Sequence, residues 1–226
     1  MKKPVLVLLG LLSVAACDDD ATGPDAIARL RFLHAAQGTA QALLRADGAT
    51  ASTAIAFGDA PSTYQDVASG SRALAVRLPN ATTDLATLTA TLKTSDAYTA
   101  LFVKRAAGVG LVLLADTNTA PAAGKVRFRF VNAARAGNLD VYVTAANADL
   151  ATATPVSAAI EPEKAGTYVS VDAGTYRIRF TNAGTKTVVL DLAAAAFAQG
   201  QVRTITVIEA AAGGAPLRGV VSADRG

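Results

Sequence analysis

The residues with the chemistry to do work are few. Cys17 is the only cysteine, His34 the only histidine, and the glutamates are Glu161, Glu163 and Glu209 alone. As the base of a nucleophilic centre, His34 would need a serine and a carboxylate beside it. Its counterpart in a later copy of the same segment is Asn132. Histidine and asparagine share the ability to hold a hydrogen bond at a strand end, not proton transfer, so His34 is read as structural. No G-x-S-x-G elbow occurs, and Ser69-Gly70-Ser71 sits in a turn pattern. One histidine and one cysteine cannot build a zinc or copper site. The carboxylates do not follow the EF-hand spacing, and Asn147-Ala148-Asp149 reads as a turn. Gly108-Val109-Gly110 lacks the third glycine and the following helix of a phosphate loop. Paired acids for glycoside hydrolysis remain an alternative, although Glu161 and Glu163 flank Pro162 in a loop pattern. The five tyrosines, Tyr64, Tyr98, Tyr142, Tyr168 and Tyr176, would suit sugar stacking. Tyr64 and Tyr168 occupy matching positions, however, which favours a repeated packing role. No metal, cofactor or catalytic residue is therefore assigned.

Cys17 has a use of its own. Lys2 and Lys3 precede an almost wholly apolar run from Pro4 to Val14, followed by Ala15-Ala16-Cys17. A run of about a dozen residues is short of the ~20 that a spanning helix needs and suits a signal-peptide core. Val14-Ala15-Ala16-Cys17 resembles the bacterial lipobox, which implies cleavage before Cys17 and lipid on its thiol. The competing view is an ordinary signal with a chance cysteine, but a lone thiol in an exported chain calls for an explanation. Residues 1–16 are thus read as a lipoprotein signal peptide. Residues 17–26, with Asp18-Asp19-Asp20 and Gly23-Pro24, are read as a lipidated acidic tether. The anchor implies the cell envelope, on the inner or outer membrane. Cleavage removes two of the 21 basic residues and leaves 19 against 18 acids. The mature chain is nearly neutral and has no basic run, which argues against nucleic acid as a partner.

The remaining chain repeats itself. Arg29–Ala36 matches Val126–Ala134, and Thr63-Tyr64 with Ser69-Gly70 matches Thr167-Tyr168 with Ala173-Gly174. Ala97–Val103 is aligned with Gln201–Val207. Within each copy the period is two. Val126, Phe128 and Phe130 alternate with Arg127 and Arg129, and Tyr176, Ile178 and Phe180 with Arg177 and Arg179. That pattern predicts half-buried strands with the arginines in water. Turn signals such as Asp47-Gly48, Pro79-Asn80, Gly137-Asn138 and Gly213-Gly214 separate them. Alanine-rich Asp191–Gln199 and its threonine-rich counterpart Leu85–Lys93 are read as strand plus loop. The expected fold is all-β: two tandem immunoglobulin-like antiparallel β-sandwich domains, residues 27–118 and 125–226, joined by a linker at 119–124. Each copy has enough apolar positions for its own core, so residues 124–226 are expected to fold alone.

The second copy carries a family pattern. Val126–Ala133, then Leu139-Asp140-Val141-Tyr142-Val143, then Tyr168–Tyr176 with Ala173-Gly174-Thr175-Tyr176, resembles the bacterial family called domain of unknown function 4397. The first copy matches at Phe32-Leu33-His34-Ala35 and Ala56-Phe57-Gly58, but has Gln41-Ala42-Leu43-Leu44 where Asp-Val-Tyr-Val is expected. The resemblance implies secreted β-sandwich modules, often tandem and often in lipoproteins. It brings no activity and no catalytic residue.

These readings point to a membrane-anchored envelope protein with a non-enzymatic binding or structural role. The candidate partners are the membrane, through its N-terminal lipid, and an envelope protein or a glycan. The alternatives are a carboxylate-based hydrolase of envelope or extracellular polysaccharide, and a plain spacer. Radiolabelled palmitate should enter the wild-type chain and not Cys17→Ala. An unlabelled wild-type protein would remove the lipid from the account.

Overall fold

The computed structural model describes residues 26–117, 119–214 and 216–225. The signal segment, Cys17 and most of the acidic tether lie outside the described residues. Every regular element described is a strand. The first half carries β1 (Ile27–Ala35), β2 (Leu43–Ala46), β3 (Ala49–Thr50), β4 (Gln65–Ala68), β5 (Gly70–Arg77), β6 (Ala86–Leu92), β7 (Ala97–Arg105) and β8 (Gly108–Asp116). The second half carries β9 (Lys125–Asn132), β10 (Leu139–Thr144), β11 (Ser157–Ile160), β12 (Lys164–Ala165), β13 (Val169–Asp172), β14 (Gly174–Asn182), β15 (Val188–Phe197), β16 (Val202–Ile208) and β17 (Arg218–Arg225). Among the described residues no helix is long and apolar enough to cross a membrane.

The halves share one topology. In the first, an inner sheet β4-β1-β7-β8 packs on an outer sheet β3-β2-β5-β6. In the second, β12-β9-β16-β17, with β13 also on β9, packs on β11-β10-β14-β15. Alternation builds each core. Leu30 and Phe32 of β1 and Phe102 of β7 meet Leu44, Leu74 and Leu92 from the facing sheet. Phe128, Phe130 and Ile205 meet Val141, Ile178 and Phe180 in the second half. Each fully buried side chain of this size contributes about 1.5–3 kcal/mol. Asp47 and Gly48, at φ 48° and 81°, form the tight β2–β3 turn, whose backbone suits this Asp-Gly pair.

Three expectations need correction. The sheets are not purely antiparallel: β1 runs parallel to β7 and β9 parallel to β16, so each inner sheet is mixed. The intervening strands give the chain room to return in the same direction. The alignment of the late strands also slips by one. Arg29 lies opposite Ala97 and Arg127 opposite Val202, so Ala97 is equivalent to Val202 and Thr99 to Thr204. A one-residue slip exchanges the two faces of a strand. Third, the arginines do not all meet water. Arg31 and Arg129 are each 3% exposed, and Arg179 is buried beneath the loop after β10, donating to Thr144 Oγ1 and to the Ala148 carbonyl.

Among the described residues no strand is exchanged between halves. A third apolar cluster nevertheless joins the two inner sheets, with Leu33, Ala35, Leu101 and Val103 from one and Val131, Ala133, Ile208 and Val220 from the other. A fragment 124–226 would keep its own sandwich core and uncover this second face.

At the end of β1, His34 is 0% exposed. Its Nδ1 accepts the Ala36 N–H at 3.2 Å and its Nε2 meets the Ala40 carbonyl at 3.0 Å. Asn132 does the same at the end of β9: Oδ1 accepts the Ala134 N–H at 3.2 Å and Nδ2 donates to the Gly137 carbonyl at 2.8 Å. The imidazole thus takes the place of an amide. Burial lowers its pKa below the ordinary histidine value, although the Ala40 carbonyl and Asp59 pull the other way. A folded pKa below the unfolded one stabilises the protein above the unfolded value of about 6.5, and this contribution is lost as the pH falls through the folded pKa. His34→Asn should fold, and its melting temperature should fall less than that of the wild type between pH 7.5 and pH 5, as followed by circular dichroism.

Candidate functional site: a charged seam between the repeats

β1 and β9 each alternate arginine with apolar residues; the apolar set fills the sandwich core, and the arginine-bearing faces meet. Arg31 crosses to the second repeat, where Nη1 donates to the Ala223 carbonyl at 2.8 Å and Nη2 to Asp224 Oδ1 at 2.5 Å. Its Nε donates to Thr99 Oγ1 of its own sheet at 2.8 Å. Arg129 makes the reciprocal set. Nη1 donates to the Ala115 carbonyl at 2.7 Å, Nη2 to Asp116 Oδ1, and Nε to Thr204 Oγ1 at 3.0 Å. The second oxygen of each aspartate is also filled. Asp116 Oδ2 accepts from Tyr64 at 2.7 Å and Thr99 at 2.6 Å; Asp224 Oδ2 accepts from Tyr168 and Thr204, both at 2.6 Å. Each guanidinium lies over the tyrosine of its own repeat, 4.7 Å from the Tyr64 centroid and 4.8 Å from that of Tyr168.

The arrangement is a quasi-twofold one, with two positive and two negative charges buried together. Isolated, each would carry a desolvation penalty of several kcal/mol; here each donor has an acceptor. Burial opposes the Arg129 charge, and Asp116, Tyr168 and Asp224 more than offset it, so its pKa is raised. Burial, reinforced by Asp116, pushes the Tyr64 phenol far above its usual range. Burial does the same to Tyr168, with Arg129 opposing and Asp224 reinforcing. Both phenols therefore stay protonated and act as donors to carboxylates, unsuited to nucleophilic attack.

Flanking contacts break the symmetry. The Gly58 N–H donates to the His34 carbonyl at 3.0 Å, and the Glu163 N–H to that of Asn132 at 2.7 Å, so these residues are counterparts. Gly58 has φ +77°, and a Cβ there would lie 3.0 Å from both Arg218 Nη1 and Ile208 Cδ1 of the other repeat. Glu163 holds φ 65° despite its side chain, which grips Arg105 of the first repeat at 2.9 and 2.8 Å.

The residues singled out in the sequence are not gathered into one centre. His34 caps a strand, Glu163 pairs with Arg105, and Glu209 pairs with Arg135. Glu161 is exposed. Tyr98 and Tyr142 are buried, as a packing role requires, while Tyr64 and Tyr168 serve the seam. Among the described residues no group of three or more His, Cys, Asp or Glu is placed to hold a metal. Sequence reasoning passed over Arg31, Arg129, Asp116 and Asp224. Their signal was the doubling itself: each arginine lies in the aligned opening motif, and Ala115-Asp116 recurs as Ala223-Asp224.

Fold and seam define an all-β protein of two like sandwiches fastened through their inner sheets. The family model described as Domain of unknown function (DUF4397) matches residues 28–142, just over half of the chain. The chain belongs to that family. The match covers the first repeat and continues through β9 into β10, ending at Tyr142 of the Asp-Val-Tyr motif. No curated protein matches the chain.

Removing one member of a buried ion pair strands the other, at a cost of about 3–5 kcal/mol. Asp224→Ala should lose that much in urea unfolding. Replacing all four charges together, with Arg31→Met, Arg129→Met, Asp116→Leu and Asp224→Leu, should cost less than the single change. A single variant within experimental error of wild type would show the seam charges to be solvated.

Proposed function

We propose that the protein is a non-enzymatic, lipid-anchored component of the bacterial envelope, whose two repeats form one stiff unit that presents its margins to a partner. The observation that carries this is the self-sufficiency of the seam. Its charges are the largest cluster of buried charges among the described residues, and their hydrogen bonds are spent on one another, on the Ala115 and Ala223 carbonyls, and on the threonines and tyrosines beside them. A catalytic constellation instead leaves donors and acids open to a substrate. Hydrolysis by paired acids calls for a carboxyl with a raised pKa in an open cleft. The carboxylates with a resolved shift, Asp47, Asp84 and Asp191, move the other way, held down chiefly by the Ala73 N–H, by Arg77 and by Arg177 respectively. The address comes from Lys2-Lys3, the apolar run and Cys17. Two or three acyl chains hold a protein at a membrane far better than one, since each buried methylene adds about 0.8 kcal/mol.

The full precursor, expressed in a bacterial host, should sediment with membranes and be released by detergent but not by salt. The purified protein should release no reducing ends from peptidoglycan or acidic exopolysaccharide. Release that disappears on changing a single carboxylate would replace this reading with the hydrolase.

A further inference from the structure

The margin of the seam holds a cleft of ≈ 460 Å³ to which both repeats contribute. One wall is the segment 60–64 leading into β4, and the other is β17 at Val221–Ala223. Among the described residues β17 is the last strand of its sheet and pairs only with β16. Along an antiparallel ladder the N–H and C=O of a residue point to the same side, alternating from residue to residue. The seam fixes the phase here. The Ala223 carbonyl accepts from Arg31, so it points away from β16. The far side of β16 agrees: the Val207 carbonyl faces β9, accepting from Ala133 just beyond it, which turns Thr204 and Thr206 toward Ser222 and Val220 of β17. The N–H and C=O of Val221 therefore face outward at the cleft wall. Val221 is also the most exposed large apolar side chain among the described residues, at 48%. The same cleft is lined by Ala60, Pro61 and Tyr64 of the first repeat. Arg31, the one charged residue lining the cleft, has its donors committed to the seam.

Of the other long edges, β6 and β8 of the first repeat keep regular register, and β15 of the second differs. β15 is interrupted by two bulges, opposite Tyr176–Ile178 and Phe180–Thr181. Bulges of this kind keep an edge from pairing. β17 keeps regular register from Arg218 to Ala223 and is bulged only beyond that point.

We propose that β17 is a strand-addition site. An extended, uncharged segment of a partner protein, with β-branched or other apolar residues at alternate positions, pairs along Val221 within the cleft that Val221 and Pro61 both line. Backbone hydrogen bonds supply the affinity and the cleft walls the selectivity. The proposal deepens the reading of the protein as a binding unit and rests on it. Because the cleft spans both repeats, the segment binds only the fastened form.

The test uses the full chain and a displayed library of random nonapeptides, with counter-selection on Val221→Pro. Proline removes the outward N–H and spares the ladder to β16, which does not use it. Ala60→Arg fills the cleft from the other repeat and serves as the second variant. Enriched peptides should alternate apolar residues and bind wild type. They should weaken by about tenfold or more on either variant that melts like wild type, the size expected for a lost hydrogen bond with its packing. Amide exchange at Val221 should slow on binding. Peptides that bind all three proteins equally, or no enrichment, would overturn the proposal. A concentration-dependent dimer of wild type that Val221→Pro abolishes would overturn it in favour of a second copy as the occupant. None of these outcomes bears on membrane sedimentation or on release of reducing ends, so the binding site and the broader reading fail separately.

Discussion

Two guanidiniums buried between facing sheets set the terms for the rest of the molecule. A charge taken out of water must be paired and hydrogen-bonded in full. Arg31 meets that demand only with Asp224 and the Ala223 carbonyl, and Arg129 only with Asp116 and the Ala115 carbonyl. Thr99, Thr204, Tyr64 and Tyr168 follow as the groups that complete the two aspartates. The apolar cluster of Leu33, Leu101, Val131 and Ile208 supplies area but little direction. The charges supply direction: with the sheets rotated or shifted, four ions would lose their partners. Adhesion and orientation are thus divided between two sets of residues.

Much of the fold was legible because its period is two and its turns are marked. Alternation at Val126, Phe128 and Phe130 placed β9, and Asp47-Gly48 placed a hairpin. The doubling of His34 as Asn132 foretold a hydrogen-bonding role, which the matched contacts to Ala36 and Ala134 bear out. The seam was illegible for a physical reason. Alternation tells that a face is polar, not whether that face meets water or another polar face. Arg129 and Arg177 look alike in sequence, yet one is buried against Asp116 and the other is partly exposed beside Asp191. The one-residue slip at β16 hid the match of Thr99 with Thr204, and with it the repeated Arg-Thr pair.

The two repeats are alike in topology and unequal in side chains. Gly58 yields space to Ile208 and Arg218, whereas Glu163, in the same strained backbone region, fills space to reach Arg105. Such differences make the two margins of the seam chemically distinct, although the centre is nearly symmetric. A partner would therefore meet one preferred margin rather than two equivalent ones.

The parallel pairing of β1 with β7, and of β9 with β16, also governs how the chain reaches this state. Arg31 and Thr99 are 68 residues apart, and Arg129 and Thr204 are 75. The first strand of each repeat thus has no neighbour on that side until the late strand has been made. Contacts of such sequence separation pay their loop-closure entropy before they return any stability, and folds built on them form over milliseconds to seconds. During that interval the apolar face of β1 lacks half its sheet. The seam comes later still, because Arg31 must wait for Asp224 near the far end of the second repeat. These separations favour assembly from within each sandwich outward, with the charged fastening last.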